Sequence, residues 1–305
     1  MKISNADRIR QAFAVIALAF LFACQHLAAG PIPFGTNQFT VGGGANAITV
    51  YTYKPKTYTD GPLLLVFHGV NRNAEDYRDY AISMADRFNV IVAAPLFDTN
   101  RFPGDAYMRG GVIKKGVFQP RTNWTYGLLP QIIEDVRQRE GCADLPYYFI
   151  GHSGGAQFLM RLSAFSPLEA RRIVAANPGS DLFPRRDWKF GYGFGELPVE
   201  YSDDAELQRY LAAPLTLYLG TADTDPQHPE LDRTAAAERE GRFRLERGRA
   251  CFEFARKLAA ERGWKFNWRK VETPGIAHDS KRMFAAPEVK DALFGAEKPV
   301  ADEGK

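Results

Sequence analysis

The stretch that most constrains the fold is Tyr147–Met160, reading YYFIGHSGGAQFLM. Tyr147 to Ile150 is an aromatic and aliphatic run suited to a buried strand, and it stops at Gly151. A helix-like segment begins near Ala156. Between them stands Gly151-His152-Ser153-Gly154-Gly155, a Gly-x-Ser-x-Gly match. A serine on so sharp a strand-to-helix turn is pushed out over the end of the sheet. Its flanking glycines leave room for a bend that a Cβ obstructs. The next backbone N–H, on Gly154, opens a helix and can face an oxyanion. The pattern predicts Ser153 as a nucleophile at a strand's carboxyl end.

The rest of the chain supplies the sheet for that strand. Phe39–Val41 and Ala47–Lys54 read as opening antiparallel strands joined by Gly42-Gly43-Gly44. Leu63–Phe67 is a continuous apolar run, as expected of a strand covered on both faces. Asp76–Phe88 has helical spacing, and Val90–Pro95 is a second buried strand. A helix is predicted over Trp124–Arg139. Strands Arg172–Ala176, Pro214–Leu219 and Phe266–Glu272 follow, with helices ending near Arg262 and at Phe294. Strands alternating with helices predict a mostly parallel sheet with helices on both faces. Right-handed crossovers then bring the strands' carboxyl ends to one rim.

Two irregular stretches hang over that rim. Loops as long as Phe97–Asn123 usually carry function, and Phe102, Tyr107 and Trp124 are candidates to line an acyl or aromatic pocket. Trp188 and Tyr192, in Phe183–Phe194, are candidates for its second wall. Arg233–Arg249 alternates arginine with glutamate and is expected to be a solvated helical face.

The reactive partners follow from position. Leu63–Phe67 ends in His68-Gly69, where a tight turn aims the N–H of Val70 or Asn71 at a substrate oxygen. His68 itself is expected to be structural. Of the five histidines, His26 lies in the leader, His152 adjoins the nucleophile, and His228 follows the candidate acid with no intervening strand. His278 follows the next strand and is the expected base. Asp223, at the exit of Pro214–Leu219, is the expected acid, with Asp225 as the alternative. The acid fixes the histidine tautomer and stabilises the imidazolium.

The N-terminus reads as a targeting segment. Lys2, Arg8 and Arg10 precede the apolar run Ala12–Ala23, which is short for a membrane span, and Ala28-Ala29-Gly30 supplies small residues for cleavage. Residues 1–29 are expected to be a signal peptide and 30–305 a single domain in the periplasm or outside the cell. Leu21–Cys24 resembles a lipoprotein box, so a lipid anchor on Cys24 is the alternative. Cys142 and Cys251 are expected to be free thiols rather than a disulfide. The formal net charge of +3 in 305 residues implies no polyanion, and nucleic acid is not an expected partner.

The order Ser153…Asp223…His278, with His68-Gly69 upstream, resembles the α/β-hydrolase superfamily. More narrowly, LLLVFHGVNRNAEDY, GHSGG and PGIAHDS are similar to exported esterases of the polyhydroxybutyrate-depolymerase and feruloyl-esterase-like group. The resemblance implies an α/β-hydrolase fold and a serine esterase acting on a small-molecule or oligomeric ester. It implies an oxyanion hole of Val70 and Gly154 and no metal or organic cofactor. A peptidase or amidase on the same fold, and a non-catalytic binding protein, are the alternatives.

Overall fold

The computed structural model describes residues 30–295. The leader and Cys24 lie outside them. The strands are β1 (Gly35–Val41), β2 (Ile48–Lys54), β3 (Leu63–Phe67), β4 (Ile91–Pro95), β5 (Ile113–Lys114), β6 (Val117–Phe118), β7 (Tyr147–His152), β8 (Ile173–Ala176), β9 (Leu215–Gly220) and β10 (Arg269–Thr273). Eight of them form one sheet in the order β1-β2-β4-β3-β7-β8-β9-β10, and β5 and β6 form a separate hairpin. In the main sheet β1, β2 and β4 pair antiparallel, and the pairings along β4-β3-β7-β8-β9-β10 are all parallel. Among the described residues no helix is long and apolar enough to cross a membrane.

The strand period of two explains why β3 reads as unbroken apolar sequence. Leu63, Leu65 and Phe67 enter one core, with Phe149, Phe158 and Leu159. Leu64 and Val66 enter the other, with Met84, Ile150 and Phe284. Burying a side chain of this size contributes about 1.5–3 kcal/mol. The first core is roofed by helices Leu129–Glu140, Gly154–Phe165 and Arg244–Arg262, and the second by Ala74–Tyr80, Ile82–Phe88, Ser280–Ala285 and Val289–Phe294.

Several elements differ from expectation for local reasons. The helix expected over Asp76–Phe88 is two, broken at Ala81. Pro130 stands in the first turn of a helix that begins only at Leu129, after a 3-10 turn over Thr125–Leu128, consistent with proline's tolerance there. The Arg233–Arg249 stretch is solvated only in part: Arg233, Arg239, Arg242 and Arg249 are exposed, whereas Arg244 and Arg247 are fully buried. In helix Arg244–Arg262 the buried stripe runs Arg244, Gly248, Cys251, Ala255, Ala259, a helical spacing with an arginine at its head. Cys251 is buried, Cys142 is exposed, and both are free.

Candidate active site

β7 runs into Ser153, whose backbone adopts φ 56°, ψ −114°. That conformation is sparsely populated for any residue with a Cβ and persists only where its surroundings hold it. Here Ser153 N–H donates to Ala176 O at 3.0 Å, and Gln157 N–H donates to Ser153 O at 3.0 Å. The glycines make the bend sterically feasible. A Cβ on Gly155 lies 2.3 Å from Phe67 O, and one on Gly151 lies 2.7 Å from Gly155 C. Both clashes are with backbone, which has no rotamer to yield.

The end of β3 is fixed just as tightly. His68 is buried; Phe97 N–H donates to its Nε2 at 3.1 Å. Nδ1 therefore carries the proton and donates to Gly69 O at 3.0 Å. Burial pushes the imidazole down to about 4, so it is neutral and structural near neutral pH. Tyr107 O–H donates to His68 O at 2.7 Å, and its ring stacks on Phe97 and Phe158. This turn presents Val70 beside the elbow: a Cβ on Gly154 lies 3.3 Å from Val70 N. The Val70 amide thus lies close against the Gly154 backbone.

β9 and β10 end in the loops carrying Asp223 and His278. His278 Nδ1 is 2.7 Å from Asp223 Oδ2, and both side chains are almost wholly enclosed. His278 Nε2 is buried without a partner among the described residues, and His278 and Ser153 line the same cavity of about 200 Å3. Burial foremost, then Arg244 and His228, lower the His278 pKa, while Asp223 opposes them. Asp225 is exposed, and its Oδ1 accepts from Gln227 N–H at 2.8 Å. It serves its own turn and does not meet His278.

Two other histidines crowd His278. His152 packs against His278 with ring centroids 4.4 Å apart, and burial drives its pKa well down. The His228 ring lies 5.0 Å from His278, with Nδ1 accepting from Glu230 N–H at 3.2 Å. Arg244 ties this group together. Nη1 is 3.4 Å from Asp223 Oδ1 and Nη2 is 3.3 Å from His228 Nδ1. Sequence reading missed Arg244, and the apolar spacing that follows it, Gly248, Cys251 and Ala255, was the available signal.

The aromatic side chains expected to line a pocket over the serine pack elsewhere. Phe102, Trp124, Trp188 and Tyr192 are not among the residues lining the Ser153 cavity. Trp124 packs on Phe165 at 6.2 Å, as do Phe190 and Phe194 at 5.6 and 5.3 Å. Phe165 closes helix Gly154–Phe165, roughly 18 Å along the axis from Ser153. Phe102 packs edge-on against Phe97, and Trp188 tilts onto Phe183 at 4.7 Å. Tyr192 donates its hydroxyl to Asp232 Oδ2 at 2.7 Å. These side chains pin their loops to the core. The cavity walls are instead polar: Asn71, Asn73, Tyr77, Tyr80, Glu230 and Ser280. Asn71, Asn73, Tyr77 and Ser280 sit inside the LLLVFHGVNRNAEDY and PGIAHDS stretches, so the signal was present there and went unused.

No protein-family model matches the chain, and no curated protein matches it. Solved structures do. Poly(aspartic acid) hydrolase-1 from Sphingomonas sp. KT-1 is 35% identical, with TM-score 0.77, over 83% of this chain and 96% of that one. LpqC, a poly(3-hydroxybutyrate) depolymerase from Bordetella parapertussis, is 34% identical, with TM-score 0.75, over 83% of this chain and 88% of that one. A thermostable esterase at 13% identity and TM-score 0.50 shares the fold alone.

Proposed function

The chain belongs to the α/β-hydrolase superfamily, in the polyhydroxybutyrate-depolymerase-like esterase group, and on that premise we propose that it hydrolyses carboxylic esters through an acyl-enzyme on Ser153. His278 takes the Ser153 proton as Oγ attacks the ester carbonyl. The Val70 and Gly154 N–H groups hold the oxyanion. The alcohol leaves with the proton from His278, and water activated by the same histidine releases the acid. Asp223 holds the Nδ1–H tautomer and faces the imidazolium. Each oxyanion donor contributes roughly 3 kcal/mol to the transition state.

The observation that carries this reading is the pairing of His278 Nδ1 with Asp223 Oδ2 at 2.7 Å, leaving Nε2 to the cavity it shares with a strained, elbow-borne Ser153. The test is turnover of short p-nitrophenyl esters by purified protein, expected to be lost in Ser153→Ala. Wild-type protein without ester turnover overturns the reading. Amide hydrolysis is the second reading, favoured by the similarity to a hydrolase named for a polyamide. Comparison of p-nitrophenyl esters with matched p-nitroanilides separates the two, and the ester is expected to dominate.

The chain is further read as an exported enzyme. Lys2, Arg8 and Arg10 ahead of Ala12–Ala23 form a leader, with residues 30–305 as one catalytic unit. A lipid on Cys24 is the variant of that reading. Mass spectrometry of the mature N-terminus distinguishes them.

A further inference from the structure

The cavity over Ser153 is small, at about 200 Å3, below the roughly 300–1,000 Å3 of sites that engulf drug-sized ligands. Its side-chain walls are hydroxyls, amides, the imidazoles of His152 and His278, Val70 and one carboxylate, that of Glu230. Among the described residues no lysine or arginine lines it. Glu230 bridges two loops. Its Oε1 accepts from Asn71 Nδ2 at 3.3 Å, next to the Val70 turn. Its backbone N–H donates to His228 Nδ1, on the Asp223 loop. Tyr80 lines the same cavity; burial foremost, then Asp76, Asp279 and Asp79, raise its pKa, and Asp79 is itself paired with Arg78. Arg244 is buried and engaged with Asp223.

Resting on the ester-hydrolase reading above, we propose that Glu230 makes this a charge-selective site, taking small polar esters whose non-reacting end is cationic and rejecting those that end in a carboxylate. A substrate ammonium placed beside Glu230 gains attraction from its carboxylate. A substrate carboxylate there meets like charge with no wall cation to offset it. A polyanionic chain is disfavoured for the same reason. Salt weakens the discrimination, because Glu230 is exposed.

The experiment compares kcat/KM for p-nitrophenyl esters of 6-aminohexanoate, hexanoate and the adipate half-ester. A second series carries the charge on the alcohol: acetates of 3-aminopropanol, propanol and 3-hydroxypropanoate. Wild-type protein is expected to prefer the cationic over the anionic member by about tenfold or more in at least one series at low ionic strength. Glu230→Gln, which keeps the acceptor for Asn71, is expected to cut that ratio about tenfold, and Glu230→Lys to invert it. A wild-type ratio at or below one in both series, or a ratio unchanged in both variants, overturns the proposal. Failure of the neutral members to turn over instead removes the ester-hydrolase reading beneath it.

Discussion

Arg244 Nη1 lies 3.4 Å from Asp223 Oδ1, the carboxylate oxygen that His278 does not use. One acid is thus shared between a fixed buried cation and a titrating imidazole. Burial, with Arg244 and His228, lowers the His278 pKa. His278 must be neutral to act as a base, so activity is expected to persist to lower pH than an unperturbed imidazole allows. Arg244→Gln frees the Asp223 charge to stabilise the imidazolium. The acidic limb of kcat/KM then moves to higher pH, by roughly half to one unit. A pH–rate profile of the two proteins checks this.

Asp223 and Asp225 stand two positions apart and face different partners, one a buried imidazole and the other its own exposed turn. Asp223→Asn is expected to lower kcat about ten-thousand-fold by favouring the wrong histidine tautomer. Asp225→Asn is expected to stay within about twofold of wild type, because it touches only surface backbone. Steady-state kinetics on both variants decide the assignment.

Gly155 carries the elbow's steric demand. A Cβ there lies 2.3 Å from Phe67 O, so β3 and helix Gly154–Phe165 have to part. Gly155→Ala is expected to cost about 3 kcal/mol or more, at the upper end of overpacking effects. Gly127→Ala, where a Cβ meets nothing within 4 Å, is the control. Thermal or urea unfolding of the pair reads the difference.

His68 sets a pH window for stability. Its folded-state pKa is pushed down to about 4 from an ordinary value of 6.5. The unfolded chain therefore binds the proton first as pH falls. The His68 contribution is fully present above pH 6.5 and is lost as pH falls through 4, amounting to about 3 kcal/mol across the window. His68→Asn removes this titration, so its unfolding free energy is expected to vary less steeply between those limits. Urea melts across the window measure both slopes.

The legible parts of the fold are those where one residue pattern admits one geometry. Leu63–Phe67 needs two covered faces, and Gly151–Gly155 needs a bend without Cβ atoms. The positions of Asp223 and His278 followed from strand exits on a shared rim. The aromatic loops were not legible, because Trp124 or Phe190 reads the same whether it lines a pocket or seals a core. Only the distance of Phe165 from Ser153 along their helix separates the two uses. Arg244 was hidden by composition: an arginine among arginines and glutamates looks solvated until its register with Gly248 and Cys251 is followed.

The central claim is that Ser153 is the activated nucleophile. The most direct measurement is labelling with a fluorophosphonate probe, followed by peptide mass spectrometry. The account predicts one phosphonate per chain, located on Ser153, and absent in Ser153→Ala protein of unchanged melting behaviour. No label on the folded wild-type protein, or a label on another serine, contradicts it.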